Sequence, residues 1–431
     1  MDTSEVKRKL NRAGDVDLKE VSIVSSNGTL LNVTPQVVSL ELFENLFETF
    51  ISGKVVINDS QALQTFFPLV GNEILILSFQ TPTLPDEFAY NGEFFIYKCS
   101  DTVRNGDRSS VYILHFISKE AVLDQNKKIS KTFKGNPEDM IRYLLGDQGL
   151  QTDKPLFAET PRNSFAFCSN WWKPSKCIQW IIERSVSPNG NPSYLFFENK
   201  KGFVFSSLDS LISKDVPDSA VFEVNNYSRQ MGDNQTSYRD IEQDYKSILQ
   251  IDYHTGYDYF KRLRNGFYGG ETITLDITTQ RYTHNKYNRP FENDSHLNEF
   301  NPVADKAIAS TRGNLRFVPR MYNNFEDYGD STNYEVTVDR DTILSRLTTQ
   351  GLTIQVYGRT DYSVGQKVRI TVPKSGQITD GDSDTIDKVV SGTYLITGLC
   401  HNITSFDHRT ILELAKDSFE ININKSGMAS L

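Results

Sequence analysis

Four cysteines, six histidines and three tryptophans are all that 431 residues supply of the side chains most used for metal, thiol and sugar chemistry. Cys99, Cys168, Cys177 and Cys400 are scattered, with no Cys-x-x-Cys and no Cys/His cluster at zinc spacing, so they read as buried, reduced thiols. Basic residues are outnumbered: 46 Lys and Arg stand against 55 Asp and Glu, for a net charge of −9. That balance argues against a surface that grips nucleic acid, because phosphate would be repelled by most of it. No uncharged apolar run is long enough to span a bilayer, and the opening MDTSEVKRKLNRAGDVDLKE lacks the apolar core of a secretory signal. A chain made in a cytoplasm, with no membrane anchor, is expected. Without secretion, the glycosylation-pattern tripeptides at Asn27, Asn32, Asn234 and Asn402 carry no weight. Gly-x-Ser-x-Gly, His-Glu-x-x-His and Gly-x-x-x-x-Gly-Lys are all missing, and nothing calls for a cofactor or metal.

What is present is strand. Residues 21–118 hold VSIVSS, QVVSLELFENLF, ISGKVVIND, EILILSF, GEFFIYKCSD and SSVYILHFIS, rich in β-branched and aromatic residues and divided by Gly, Pro, Asn and Asp. Such spacing predicts a barrel or sandwich, with a turn at Asn105-Gly106-Asp107. The pattern then changes. In GNPEDMIRYLLGDQG, Asn136 can cap a helix, Pro137 suits its first position, Glu138 and Asp139 face the positive dipole end, and Gly146 can close it. SKCIQWIIERS predicts a second helix with Cys177, Ile178, Ile181, Ile182 and Ser185 on one side, just after Trp171 and Trp172, which read as core or interface filler. SYLFFENKKGFVFSS predicts a hairpin turning at Asn199 to Gly202, and RDIEQDYKSILQ a helix through Ile241, Tyr245, Ile248 and Leu249. A hairpin is expected around ETITLDITT, and a long surface loop or contact arm over 288–333. Lys261, Arg262 and Arg264 read as a solvated face or a protein contact, and His401 and His408 as strand-end polar residues.

One phrase occurs twice. PLVGNEILILSF (68–79) returns as YSVGQKVRITVP (362–373), preceded by KVVINDS in the first copy and LTIQVYGRTD in the second. GEFFIYKCS is answered by GTYLITGLC, and VYILHFISKE by RTILELAKDS. Four segments in one order indicate a duplicated β unit, marked by Val70, Gly71 and Gly92 in the first copy and Val364, Gly365 and Gly392 in the second. In KVRITV, Val368, Ile370 and Val372 alternate with Arg369 and Thr371, the signature of a half-buried strand. EILILSF is apolar on both faces from Ile74 to Leu77, so another element or another subunit is expected against it.

These phrases, with LFENLFETFISGKVVINDS (42–60), SYLFFENKKGFVFSSLDSLI (193–212), GYDYFKRLRNGFYGGETITLDITT (256–279), YGRTDYSVGQKVRITVP (357–373) and SGTYLITGLCHNITSFDHRTILELAKDSF (391–419), give the chain its resemblance. It resembles the central baseplate hub proteins of T-even-type contractile-tailed phages, and is similar to the hub part of contractile-injection and type VI secretion spike proteins. The resemblance implies a mixed, mainly β fold with two tail-tube-like antiparallel β-barrel domains and α+β insertions. It also implies a homotrimer around a channel through which DNA passes without sequence-specific binding. The partners it implies are a trimeric spike or cell-puncturing protein, tail tube proteins, and tape-measure or other hub proteins. The location it implies is the tail baseplate of a virion, assembled in the host cytoplasm.

The expected division is an N-terminal extension (1–20), a first tube-like barrel (21–118), an α+β insertion with helices and a hairpin whose strands can complete the barrels (119–249), a polar, aromatic-rich insertion or contact arm (250–333), a second barrel (334–420) and a tail (421–431). Three alternatives stand beside the phage hub: the hub of a phage-derived injection or type VI-like device, a carbohydrate-active tail enzyme, and a receptor-binding tail protein. The enzyme has no catalytic signature to lean on. A receptor binder would show a repetitive shaft or a distal sandwich, and neither is visible.

Overall fold

Alternation writes the strands, and burial follows it. In the computed structural model, Val368, Ile370 and Val372 are buried while Arg369 faces solvent, and Leu75, Leu77 and Phe79 are buried between half-exposed Ile74, Ile76 and Ser78. The structure describes residues 10, 12–60, 67, 69–105, 109–224, 241–254, 258–276, 280–287, 295–300, 314–320, 333–347, 349–374, 385–405 and 407–422. Most of the expected turn at Asn105-Gly106-Asp107 lies outside them.

The first unit runs β1 (Asp17–Val24), β2 (Leu30–Asn32), β3 (Val37–Asn45), β4 (Ser52–Asp59), β5 (Ile74–Gln80), β6 (Tyr90–Asn105) and β7 (Ser109–Ser118). Next come α1 (Lys119–Asn126), β8 (Ile129–Gly135), α2 (Pro137–Leu145), β9 (Leu156–Ala158), β10 (Phe165–Trp172), α3 (Pro174–Ile182), β11 (Tyr194–Asn199), β12 (Gly202–Ser207), α4 (Leu208–Ser213), β13 (Val221–Glu223), α5 (Ile241–Lys246) and β14 (Ile248–His254). They are followed by α6 (Tyr259–Arg264), β15 (Gly270–Asp276), β16 (Arg281–Tyr287), β17 (Asn314–Arg320) and α7 (Asn333–Leu347), and then by β18 (Gln350–Tyr357), β19 (Lys367–Thr371), β20 (Gly392–Thr404) and β21 (His408–Lys416).

Thirteen of these strands join one sheet. In the first unit the order is β3-β4-β7-β6-β5-β1; in the second it is β14-β18-β21-β20-β19-β13. The correspondence reaches single residues. Leu75 lies opposite Phe94 and Leu77 opposite Gly92 in one copy; Val368 lies opposite Tyr394 and Ile370 opposite Gly392 in the other. Both copies slip register after the same isoleucine, between Ile96 and Lys98 and between Ile396 and Gly398. The outer strands slip alike too, between Val37 and Ser39 and between Ile248 and Gln250. The sixth strands differ in direction: β1 is antiparallel to β5, whereas β13 is parallel to β19. The two units are not separate sheets, because the second half of β20 pairs antiparallel with β3.

Each unit has its own core. Val21, Leu40, Leu42, Val55, Leu75, Leu77, Phe94, Ile96 and Leu114 fill the first. The second combines Ile354, Val368, Ile370, Tyr394 and Leu412 with Phe197, Val204, Leu208 and Leu211 from the insertion, so β11, β12 and α4 pack over it. A third core forms where α2 and α3 meet β8 and β10. There the Asn136 side chain accepts from Glu138 N–H at 2.8 Å, capping α2, and Met140, Ile141, Leu144 and Leu145 are buried.

Three expectations are corrected. The helical period of RDIEQDYKSILQ ends at Lys246; Ile248 and Leu249 belong to β14, because pairing with β18 carries Ile248 into the second core. Residues 314–320, expected in a long loop, form β17, parallel to β15 in a small sheet of order β16-β15-β17. Helix α7 packs on that sheet and occupies 333–347, so the C-terminal run of the second unit's strands starts at Gln350, while β13 and β14 join that unit from earlier in the chain. The remainder of 288–333, apart from 295–300, lies outside the described residues.

Candidate functional site at the seam of the two sheet units

β3 and β20 meet from Ser39 opposite Thr404 to Asn45 opposite Gly398. Alternation sends Leu40 and Leu42 inward, and Glu44 is next on the same side, so a carboxylate is buried at the seam. A buried carboxylate needs donors. Lys200 N–H, at the turn of the β11–β12 hairpin, reaches it at 3.1 Å, and Val364 N–H, at the glycine turn of the second unit, at 3.3 Å. Burial pushes its pKa up to about 7 in spite of these donors and the nearby Lys200 charge. Glu44 thereby ties the first unit, the insertion and the second unit together. Around it, the Lys200 ammonium donates to the Thr360 carbonyl, and burial brings its pKa down to about 8. Thr81 and Thr360 also bond reciprocally: Thr360 N–H donates to Thr81 Oγ1 at 3.0 Å, and Thr81 N–H donates to Thr360 Oγ1 at 3.2 Å.

His408 opens β21 and His401 lies near the end of β20, at strand ends as expected, but the two rings face each other inside the seam. His401 Nδ1 and His408 Nε2 are 3.0 Å apart, both rings are fully buried, and Phe79 stands edge-on to both. Tyr90 also packs against His401, and the backbone at Gly358 lies against the His408 ring. His408 N–H donates to the Gly14 carbonyl at 2.9 Å, and its own carbonyl accepts from Gly358 N–H at 2.8 Å. Burial pulls His408 down to about 3 and holds His401 well below the usual histidine range, so the pair is neutral.

A second buried network fastens the first unit to the insertion. Glu198 accepts from Ile51 N–H at 3.0 Å, Ser118 Oγ at 2.6 Å and Lys154 Nζ at 2.5 Å, and the same ammonium donates to buried Glu120 at 2.8 Å. In the second unit the Lys416 ammonium, itself buried, donates to the carbonyls of Val389, Val390 and Ser391. Chemically these groups hold elements in register; they do not gather around a substrate. Among the described residues no cluster of His, Cys, Asp or Glu could hold a metal ion, and no helix is long and apolar enough to cross a membrane.

The six residues that mark the repeat fall into unlike surroundings. Gly71 and Gly365 share a left-handed backbone, φ +84° and +82°, which a residue with a Cβ adopts only under strain. Val70 is 79% exposed, with its N–H bonded to Glu73, whereas Val364 is 2% exposed beneath the insertion. Gly92 is extended, and a Cβ there would meet the Phe94 ring at 2.7 Å; Gly392 has φ +133° and lies against Asn298. Trp172 stacks on Phe167, but Trp171 is exposed and fills no core of this chain. Of the four cysteines expected to be buried only Cys177 is, with Cys400 half-buried and Cys99 and Cys168 exposed. Sequence reasoning missed Glu44, Lys200, Glu198 and Lys154. Only Glu44 had a signal, its place in the Leu40, Leu42 alternation.

Among solved structures the fold matches the tail protein from Neisseria meningitidis MC58, at 13% identity and a TM-score of 0.54 over 92% of this chain and 96% of that one. It also matches the 43 kDa tail protein of prophage MuSo2 from Shewanella oneidensis, at 8% identity and a TM-score of 0.53 over 93% and 99%. No family model matches the sequence, and no curated protein does. The chain has the fold of phage tail proteins, and the resemblance read from its sequence holds at that level.

Proposed function

We propose that this chain is a structural baseplate hub of a contractile tail, not an enzyme, and that three copies form a ring of six quasi-equivalent sheet units. The observation that carries this reading is the repeated strand order, β3-β4-β7-β6-β5-β1 and β14-β18-β21-β20-β19-β13, joined edge to edge in one sheet. A chain with two like units is suited to a junction between symmetries. Three copies offer six similar positions to a hexameric tube and three identical ones to a trimeric spike. The seam supports this, since Glu44, Lys200 and the threonine pair fix the angle between units within a chain. On the sheet face turned away from the cores, Glu41, Glu48 and Glu413 border a cavity of about 500 Å³ beside the seam. With that face toward a central channel, Glu48 and Glu413 repel phosphate and favour passage of DNA without its being held, while Glu41 is paired with Lys54 at 2.9 Å. Tail tube, tape-measure and spike or cell-puncturing proteins are the proposed partners, and the virion tail the proposed location. Light scattering on the purified chain, alone and mixed with its spike, should give three times the monomer mass. A stable monomer under both conditions refutes the hub.

A further inference from the structure

Several edges of the large sheet stop without a partner strand among the described residues, β2, β14 and the far half of β6 among them. β14 pairs only with β18, and β6 from Lys98 onward pairs only with β7. These are the counterparts of the two strands that make the seam. β14 holds in the second unit the place of β3 in the first, and β6 holds in the first the place of β20 in the second, down to the shared register slips. We propose that the seam is made again between copies: Ser100–Asn105 of one chain pairs antiparallel with Gln250–His254 of the next.

This rests on the ring reading and gives it a contact. Transferring the seam register places Arg104 opposite Ile251, as Ile403 lies opposite Leu40, and Val103 opposite Asp252, as Asn402 lies opposite Glu41. Ser100 falls opposite His254, as Cys400 lies opposite Phe43. β6 carries one more residue than β20 here, and the bulge between Ser100 and Val103, where Asp101 takes φ +53°, absorbs it. The surface chemistry agrees. Tyr97 and Val103 on one edge and Leu249 and Tyr253 on the other are large apolar side chains left in solvent, Val103 at 61% and Tyr253 at 48%. An open strand edge that also exposes such side chains invites another strand. Lys98 and Arg104 bring positive charge to an edge that carries Asp252. Because the two edges differ, the contact is head to tail, and it forms a closed ring only if its rotation completes a circle.

The test is a cysteine pair in the full chain, Val103→Cys with Asp252→Cys, on a Cys99→Ser background that keeps the native thiol of that strand out of the reaction. Glu41→Cys with Asn402→Cys, across the existing seam, is the geometric control. Mild oxidation should produce a covalent trimer from the double variant and none from either single variant. Tyr253→Asp, a change at an exposed position, should leave circular dichroism unchanged and weaken trimer formation at least tenfold. A trimer by light scattering that yields no crosslink, while the seam control oxidises, overturns the proposed pairing and leaves the ring standing. A monomer at every concentration overturns both. A crosslinked ladder running past three copies upholds the pairing and overturns the threefold closure.

Discussion

The two sheet units share a strand order and differ in what leans on them. The first unit's core is drawn almost wholly from its own strands, with Ile403 entering from across the seam. Phe197, Val204, Leu208 and Leu211 of the insertion are part of the second unit's core, and the insertion covers its glycine turn. The same turn in the first unit is open, its three successive N–H groups closed off by the side chain of Glu73. The two units thus share a strand framework, while the insertion packs into the core of the second and is fastened to the first through Glu198. Surroundings, not topology, decide what a given position tolerates.

The hardest blow to this comparison is charge in the shared strand. Val368→Asp with Ile370→Asp puts two unpaired carboxylates where both side chains are essentially inaccessible, at a cost of several kcal/mol each. Because the second core includes insertion residues, circular dichroism should show loss of the insertion as well as the second unit. Retained solubility and native mass would contradict the strand assignment.

Acid should separate the units next. The second unit carries the neutral, buried His401 and His408, whereas the first has Asp101, Thr102 and partly exposed Ser110 at the matching places. Both histidines titrate lower in the fold than in the open chain, so the stability they lend is whole above about pH 6.5 and falls away below it. Each histidine removes about 1.4 kcal/mol per pH unit, for His408 down to about 3. Glu44 acts in the opposite sense. Its raised pKa means that stability is regained as pH drops from about 7 toward the ordinary carboxyl range, offsetting part of one histidine. Hydrogen exchange at pH 7 and pH 5 should show β20 and β21 losing protection before β6 and β7. Equal loss in both units would show that the histidine pair does not set the acid response.

The finest contrast is at the two valines. Val364→Ala empties space beneath the insertion and should cost about 2 kcal/mol, whereas Val70→Ala, in solvent, should stay within about 0.5 kcal/mol. Urea unfolding resolves the difference, and equal values would mean that the insertion does not pack on the second turn.

Local pattern made much of this legible. The repeat, the β11–β12 hairpin and the capped helix α2 depend on neighbours in sequence, and Asn136, Pro137 and the four apolar residues after them announce that helix. The seam was not legible, because β3 and β20 are about as far apart along the chain as two strands can be and nothing in either marks the other as partner. Helix α7 was missed for a different reason. TVDRDTILSRL shows no clean apolar stripe, since Arg340 is itself buried, its guanidinium donating to the Tyr194 carbonyl at 2.6 Å. His401 and His408 look polar in sequence, and only long-range packing of Phe79 and Tyr90 from the first unit turns their hairpin end into interior.

The matched register slips after Ile96 and Ile396, and before Ser39 and Gln250, have a geometric consequence. A slip at a fixed place bends a strand by a set amount. Two copies that bend at matching places suit an arc begun by the first and continued by the second. In the proposed assembly the bore would stay round even though only every other segment is chemically identical.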